Sequence, residues 1–253
     1  MEEQTIQEEA GAPAALRFHR ALSEHPSLHG SRSTLRPEDA RRFPGDSLPD
    51  AFARALCERR ATCMKELLEA TEVFALARKA VRAPTVADLC CGHGLAGLLF
   101  AVFERRVERV VLVDRERPPS ADLVLEAAAD VAPWAPGKVE WRREPLKRTA
   151  LKPGTGVIAI HACGLRTDRA IELAIEAGGG VAALPCCRPH RGHPAPEGLK
   201  LALGPDRAID VHRTYALEQA GHRVRWRSIA PTISPMNRVL IARAPRVAAG
   251  EGA

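Results

Sequence analysis

The chain has 253 residues, 45% of them apolar and 27% charged, enough to bury a core without disulfide or metal staples. No apolar run approaches the ~20 residues that cross a bilayer, and an odd count of seven cysteines argues against a closed disulfide framework. The net charge of +6 permits an anionic partner but requires none.

Met1-Glu2-Glu3 lacks the basic and then apolar layout of a secretion signal, so reduced thiols and a cytoplasmic location are expected. Residues 1 to about 15 carry Glu2, Glu3, Glu8 and Glu9 with little to bury and read as a disordered tail. Residues 16–49 show weak periodicity and are expected to pack as short turns or stay mobile, giving a flexible or irregular segment over 1–49. Asp50 can cap a helix, and from Ala51 to Ala80 there is neither Gly nor Pro. Phe52, Leu56, Leu67, Leu68, Phe74 and Leu76 recur there at roughly helical spacing, which predicts one helical stretch ended by Pro84.

Strand-like and helix-like segments then alternate. Strands are predicted at Val86–Cys90, Val110–Val113, Lys138–Arg142, Gly156–Ile160, Val181–Leu184, His222–Ile229 and Arg238–Ala242. Helices are predicted at Leu95–Phe103, Ala121–Ala132, Asp168–Ala177, stopped by Gly178-Gly179-Gly180, and Arg207–Ala220. Repeated β-α-β units with apolar strands imply an α/β, Rossmann-like fold: a seven-stranded, mostly parallel sheet with helices on both faces. This domain is expected over 50–247, with a disordered tail at 248–253.

The strongest local signal is Asp88-Leu89-Cys90-Cys91-Gly92-His93-Gly94, between the first strand and the helix after it. Glycines there make a tight turn and clear side chains from the path of a ligand. Asp114 ends the next strand, where an acid can accept hydrogen bonds from ribose hydroxyls, and Arg115 follows it. Gly92 to Gly97 also fits the GxGxxG of a nicotinamide-dinucleotide site. Two features favour S-adenosylmethionine (SAM) as the cofactor. Asp88 can meet a cationic methionine end, and the two closing strands joined at Thr232 to Asn237 are typical of methyltransferases. The cofactor set read from these positions is Asp88, Leu89, Cys90, Gly92, Gly94, Asp114, Arg115 and His161, with Glu144 offered to the adenine amino group or else solvated. Lys65 and Glu66 could close over the cofactor, although a solvated helix face explains them more simply.

The fourth strand runs into His161-Ala162-Cys163-Gly164, and the fifth into Pro185-Cys186-Cys187-Arg188-Pro189-His190. Ligands collect beyond such strand ends, so His161, Cys163, Cys186, Cys187 and His190 are expected to converge near the transferred group. Three readings stay open. The cluster is a substrate pocket with His161 as base, helped by Cys163 and Cys187; or packed thiols; or a zinc site of Cys163, Cys186, Cys187 and a histidine. An imidazole suits the base because it titrates near neutrality. Asp168 reads more simply as a helix cap than as a catalytic group.

Asp88-Leu-Cys-Cys-Gly-His-Gly, His161-Ala-Cys-Gly-Leu-Arg-Thr-Asp168 and Leu184-Pro-Cys-Cys187 together resemble the motifs of a class I methyltransferase family. That family includes the eukaryotic tRNA 2′-O-methyltransferases of the acceptor stem and several methyltransferase-like proteins. The resemblance spans about residues 60 to 243 and implies SAM as cofactor and methyl transfer to an O or N acceptor, with RNA (tRNA or rRNA) one candidate and a protein or small molecule another. A fold that binds SAM or NAD without catalysis is the remaining alternative. The tRNA enzymes carry N-terminal Cys/His zinc modules, whereas the first third of this chain has only Cys57 and Cys63. Cys90 stands where a first glycine is common. Arg188, His190, Arg191 and His193 read as a basic rim able to meet RNA phosphates. From Gln219 to Gly250 there are six arginines and no acid, but Arg223, Arg225 and Arg227 alternate as in a charged edge strand. Only 4% of residues are aromatic, so no stacking platform is evident.

Overall fold

A computed structural model describes residues 16–185, 187–189 and 192–245. The tails expected at 1–15 and 248–253 lie outside these residues. Seven strands form one sheet in the order β3-β2-β1-β4-β5-β7-β6. They are β1 (Thr85–Leu89), β2 (Arg109–Asp114), β3 (Val139–Arg143), β4 (Gly156–Ile160), β5 (Val181–Leu184), β6 (Arg223–Ser228) and β7 (Arg238–Arg243). The first five are parallel, and β7 inserts antiparallel between β5 and β6. This order, with its reversed β7, is the Rossmann-like class I methyltransferase fold. The order turns at β1 and β4, so their carboxyl ends open a crevice where ligands bind.

The period of two in β1, β2 and β4 sends alternate side chains to opposite faces. Val86, Val110, Leu112 and Ile158 join one core, while Ala87, Leu89, Val111 and Val113 join the other. The first core is covered by α1 (Leu48–Glu58), α2 (Met64–Val81), α3 (Leu95–Phe103) and α4 (Ser120–Val131). The second is covered by α5 (Arg166–Ala177) and by Leu217 of α7 (Pro205–Gln219). Gly178 closes α5 in the left-handed conformation that glycine adopts without strain. A short helix that periodicity did not indicate, α6 (Glu197–Leu203), leaves Leu201 87% exposed, so it has little apolar pattern to read.

Two expectations at the N-terminal side are corrected. The stretch read as one helix is two, because residues 62–65 pair with the N-terminal segment: the Leu35 N–H donates to the Thr62 carbonyl, Thr34 bridges Cys63, and the Lys65 N–H donates to the Ser31 carbonyl. Long-range backbone pairing of this kind leaves no local signature. The cap of α1 is Ser47, whose hydroxyl accepts from the Asp50 N–H at 3.3 Å, while the Asp50 carboxylate takes His19 Nδ1 at 3.0 Å. At the far end of α1 the Arg60 N–H donates to the Cys57 carbonyl and the Ala61 N–H to the Leu56 carbonyl. This closure usually holds glycine at the left-handed position; here Arg60 holds it at φ 52°, at a strain of roughly 1 kcal/mol.

Residues 16–47 wrap the first core with three 3-10 turns, at Arg20–Glu24, Pro26–Leu28 and Pro37–Arg42, and bury Leu16, Leu22, Leu35 and Phe43 in it. His29 ties this wrap to the β6–β7 connection: Nε2 meets the Leu22 carbonyl and Nδ1 meets Thr232 Oγ1, both at 2.8 Å. No helix among the described residues is long and apolar enough to cross a membrane.

Candidate functional site

The bend after β1 is built on close contact. A Cβ on Gly97 would lie 2.5 Å from a Leu112 methyl and 2.9 Å from the Asp88 Cβ, so only glycine lets α3 approach the sheet here. The Gly97 N–H donates to Asp88 Oδ2 at 2.8 Å. Burial pushes the Asp88 carboxyl up to about 7, against the lowering pull of the Gly97 N–H and of His93, while Asp114 adds to the rise. Cys90 and Gly92 adopt left-handed backbone at φ 58° and 56°, and a Cβ on Gly92 would meet nothing within 4 Å. The outer face of the bend is therefore open.

Asp114 reaches across to the bend. Its Oδ2 accepts from the Gly92 N–H at 2.9 Å and its Oδ1 from the Arg115 N–H at 2.7 Å; the Arg115 side chain is exposed. The Glu144 N–H donates to the Asp114 carbonyl at 3.0 Å, which brings Glu144 beside it, and Glu144 Oε1 is buried with no hydrogen-bond partner among the described residues. Such an orphaned acceptor is what a ligand amino group would satisfy. Leu89 differs from its sequence-based assignment. Its side chain is fully buried in the second core, because alternation along β1 turns it away from the bend, so it can offer only backbone.

Between the bend, α2 and the end of β4 lies a cavity of about 200 Å³. Three carboxylates from two elements line it, Glu66 and Glu69 of α2 and Asp88 of β1, and no Lys or Arg does. Glu69 is 1% exposed. Its Oε2 meets His161 Nε2 at 2.6 Å and its Oε1 meets Lys65 Nζ at 2.6 Å. Burial pushes the Glu69 carboxyl up, but His161 and Lys65 outweigh it and hold the group below the ordinary glutamate value. His161 has φ 61°, and its N–H donates to the Leu184 carbonyl at 3.1 Å. Its Nδ1 has no hydrogen-bond partner among the described residues.

A larger cleft of about 630 Å³ shares Glu66, His93 and His161 with this cavity. Glu66 Oε2 accepts from Thr62 Oγ1 at 2.9 Å and meets His93 Nε2 at 3.1 Å. The His93 hydrogen bond, opposed by burial, holds the Glu66 carboxyl down to about 2. Lys65 is thus buried rather than solvated, whereas Glu66 is exposed, as expected of a helix face, while lining both cavity and cleft. Sequence reasoning missed Glu69 and His93. The available signal for Glu69 was its place among Leu67, Leu68, Val73 and Phe74 on a helix with scarcely a solvent face.

Of the predicted thiols, Cys163 and Cys187 are among the described residues. Cys163 is half-buried, Cys187 is exposed, and neither lines the cavity or the cleft; Cys186 and His190 lie outside the described residues. β4 and β5 are adjacent as expected, and beyond β5 the Arg188 side chain reaches Asp210 of α7. Among the described residues no group of three His, Cys, Asp or Glu is arranged for a metal ion. Cys90 and Cys91 do line the small cavity, with burial pushing the Cys90 thiol up to about 11 and the Cys91 thiol still higher. The basic rim also differs. Arg188 makes a two-pronged pair with buried Asp210 at 2.9 and 2.8 Å, and buried His193 meets Asp168 at 3.1 Å. Asp168 is no helix cap: it takes Arg213 at 2.8 Å through both oxygens. Arg191 lies outside the described residues.

No protein-family model matches the chain, and no curated protein matches it. Solved structures resemble it at low identity. A Bordetella parapertussis protein described as a "possible exported protein" is 19% identical, with a TM-score of 0.45 over 88% of this chain and 83% of that one. A SAM-dependent methyltransferase from Aquifex aeolicus is 12% identical, with a TM-score of 0.42 over 82% and 97%. The ribosomal protein L11 methylase of Lactobacillus delbrueckii subsp. bulgaricus is 14% identical, with a TM-score of 0.39 over 72% and 80%.

Proposed function

We propose that this protein binds SAM and transfers its methyl group to an oxygen or nitrogen nucleophile. The observation that carries the reading is the carboxylate-lined cavity at the glycine bend. Three acids without a Lys or Arg suit a sulfonium and an ammonium group, and oppose the pyrophosphate of a nicotinamide dinucleotide. Asp114 would hold the ribose hydroxyls, Glu144 Oε1 the adenine amino group, and Gly92 and Gly94 the close backbone face. When bound, SAM supplies a methyl group already activated by the sulfonium charge. The protein then has to align the nucleophile and take its proton. Glu69 occupies Nε2 of His161, which leaves Nδ1 as the atom that accepts the proton. Glu66 and His93 flank the passage between cleft and cavity and would orient the acceptor. The three-motif resemblance makes RNA one arm of the acceptor screen.

Isothermal titration with SAM, S-adenosylhomocysteine and NAD tests the reading. Binding of the first two and not of NAD is expected; NAD binding without SAM binding overturns it. Tritiated methyl transfer onto fractionated RNA, protein and metabolites then identifies the acceptor.

A further inference from the structure

Three non-glycine residues among those described hold left-handed backbone: Arg60, Cys90 and His161. All three line the proposed site, Cys90 in the small cavity, Arg60 in the larger cleft and His161 in both. Strained backbone concentrates where function keeps it. At Arg60 the conformation itself has a plain origin, since the closure of α1 calls for it and glycine would meet it without strain. What glycine would not supply is a guanidinium group, and Arg60 is exposed and lines the cleft.

Arg32, from the N-terminal wrap, lines the same cleft and is also exposed. Neither arginine makes an ion pair with a described residue. The other charges there are engaged: Lys65 with Glu69, and Glu66 with His93 and Thr62. Among the described residues Arg32 and Arg60 are therefore two cations of the acceptor side without an ion-pair partner, and Thr34 and Ser234 line the same cleft. Guanidinium groups bind oxyanions through paired N–H donors, and hydroxyls complete such a shell.

We infer that Arg32 and Arg60 form an oxyanion subsite, so that the methyl acceptor carries a phosphate or carboxylate group close to its nucleophile. The inference rests on the methyltransferase reading for the identity of the cleft as the acceptor side. It gives residues 16–47 a task in substrate selection besides covering the core.

The test uses the full chain saturated with S-adenosylhomocysteine and titrated with inorganic phosphate, acetate or a short oligoribonucleotide, followed by NMR and calorimetry. Arg60→Gly, Arg32→Gln and the double variant are run alongside. Saturable binding of phosphate or acetate is expected, weakened about tenfold or more in each single variant. Affinity for S-adenosylhomocysteine should not change, and Arg60→Gly should melt no lower than the parent because glycine relieves the left-handed strain. A much tighter oligoribonucleotide assigns the oxyanion to a polymer; equal or weaker binding assigns it to a small acceptor. Failure of phosphate and acetate alike to saturate, or unchanged affinity in the double variant, overturns the subsite. Failure of S-adenosylhomocysteine to bind overturns the methyltransferase reading instead, so the two failures are distinguishable.

Discussion

The chain leaving β4 and the chain leaving β5 start alike, each a short run of cysteine, histidine and arginine beyond a buried parallel strand, yet they end in opposite roles. After β4, His161 meets Glu69 of α2 and, among the described residues, keeps one ring nitrogen without a partner beside a cavity. After β5, Arg188 and His193 turn into the protein and are consumed by Asp210 and Asp168, with Arg213 and Arg238 completing the two clusters. The same side-chain types act as tethers where a helix offers a carboxylate away from any cavity, and stand ready for the proposed chemistry where a cavity adjoins the carboxylate. Charge and motif alone did not distinguish these outcomes.

The largest expected effect is at the β4 end. His161→Ala should slow methyl transfer roughly 10²- to 10⁴-fold, the usual span for a general base, while SAM affinity measured by calorimetry stays near the parent value. Turnover at the parent rate would remove His161 from the chemistry. The β5 end should answer differently. Asp168→Ala strands Arg213, which is 1% exposed, and should cost about 3–5 kcal/mol in urea unfolding. SAM affinity of the folded fraction should hold; a selective loss of SAM binding would mean that the β5 loop belongs to the site after all.

Asp114→Ala should weaken SAM about 10- to 100-fold through lost hydrogen bonds to a charged acceptor, with unfolding little affected. Unchanged affinity would withdraw the ribose assignment. The smallest effect concerns protonation. Asp88 is raised to about 7 when folded, so in the free protein it binds more protons than the unfolded chain between about pH 4 and 7. Its stabilising contribution is therefore full below about pH 4 and is lost as pH rises through about 7. A cationic ligand favours the carboxylate, so SAM affinity should rise from pH 6 to 8 with proton release. Asp88→Asn should flatten that rise in calorimetry run in two buffers of different ionisation heat.

Much of this could be read from residue order. The glycine bend, Asp114 and the seven strands were legible because strand alternation, left-handed turns and the offset between successive strands are local rules. The break between α1 and α2 was not, because no Gly or Pro marks it and its hydrogen bonds go to Ser31 and Leu35. Lys65 looked like part of an ordinary charged helix face for the same reason, since nothing local shows that α2 is buried nearly all round.

The sequence by itself determined the α/β alternation, the bend that brings backbone close to a ligand and the acid beside it. Only the tertiary structure decided that Glu69 would meet His161 from 92 residues away, that Asp210 would capture Arg188, and that Arg60 would face a cleft. Backbone preferences act over a few residues, whereas the partner of a charge is set by the packing of whole helices against the sheet.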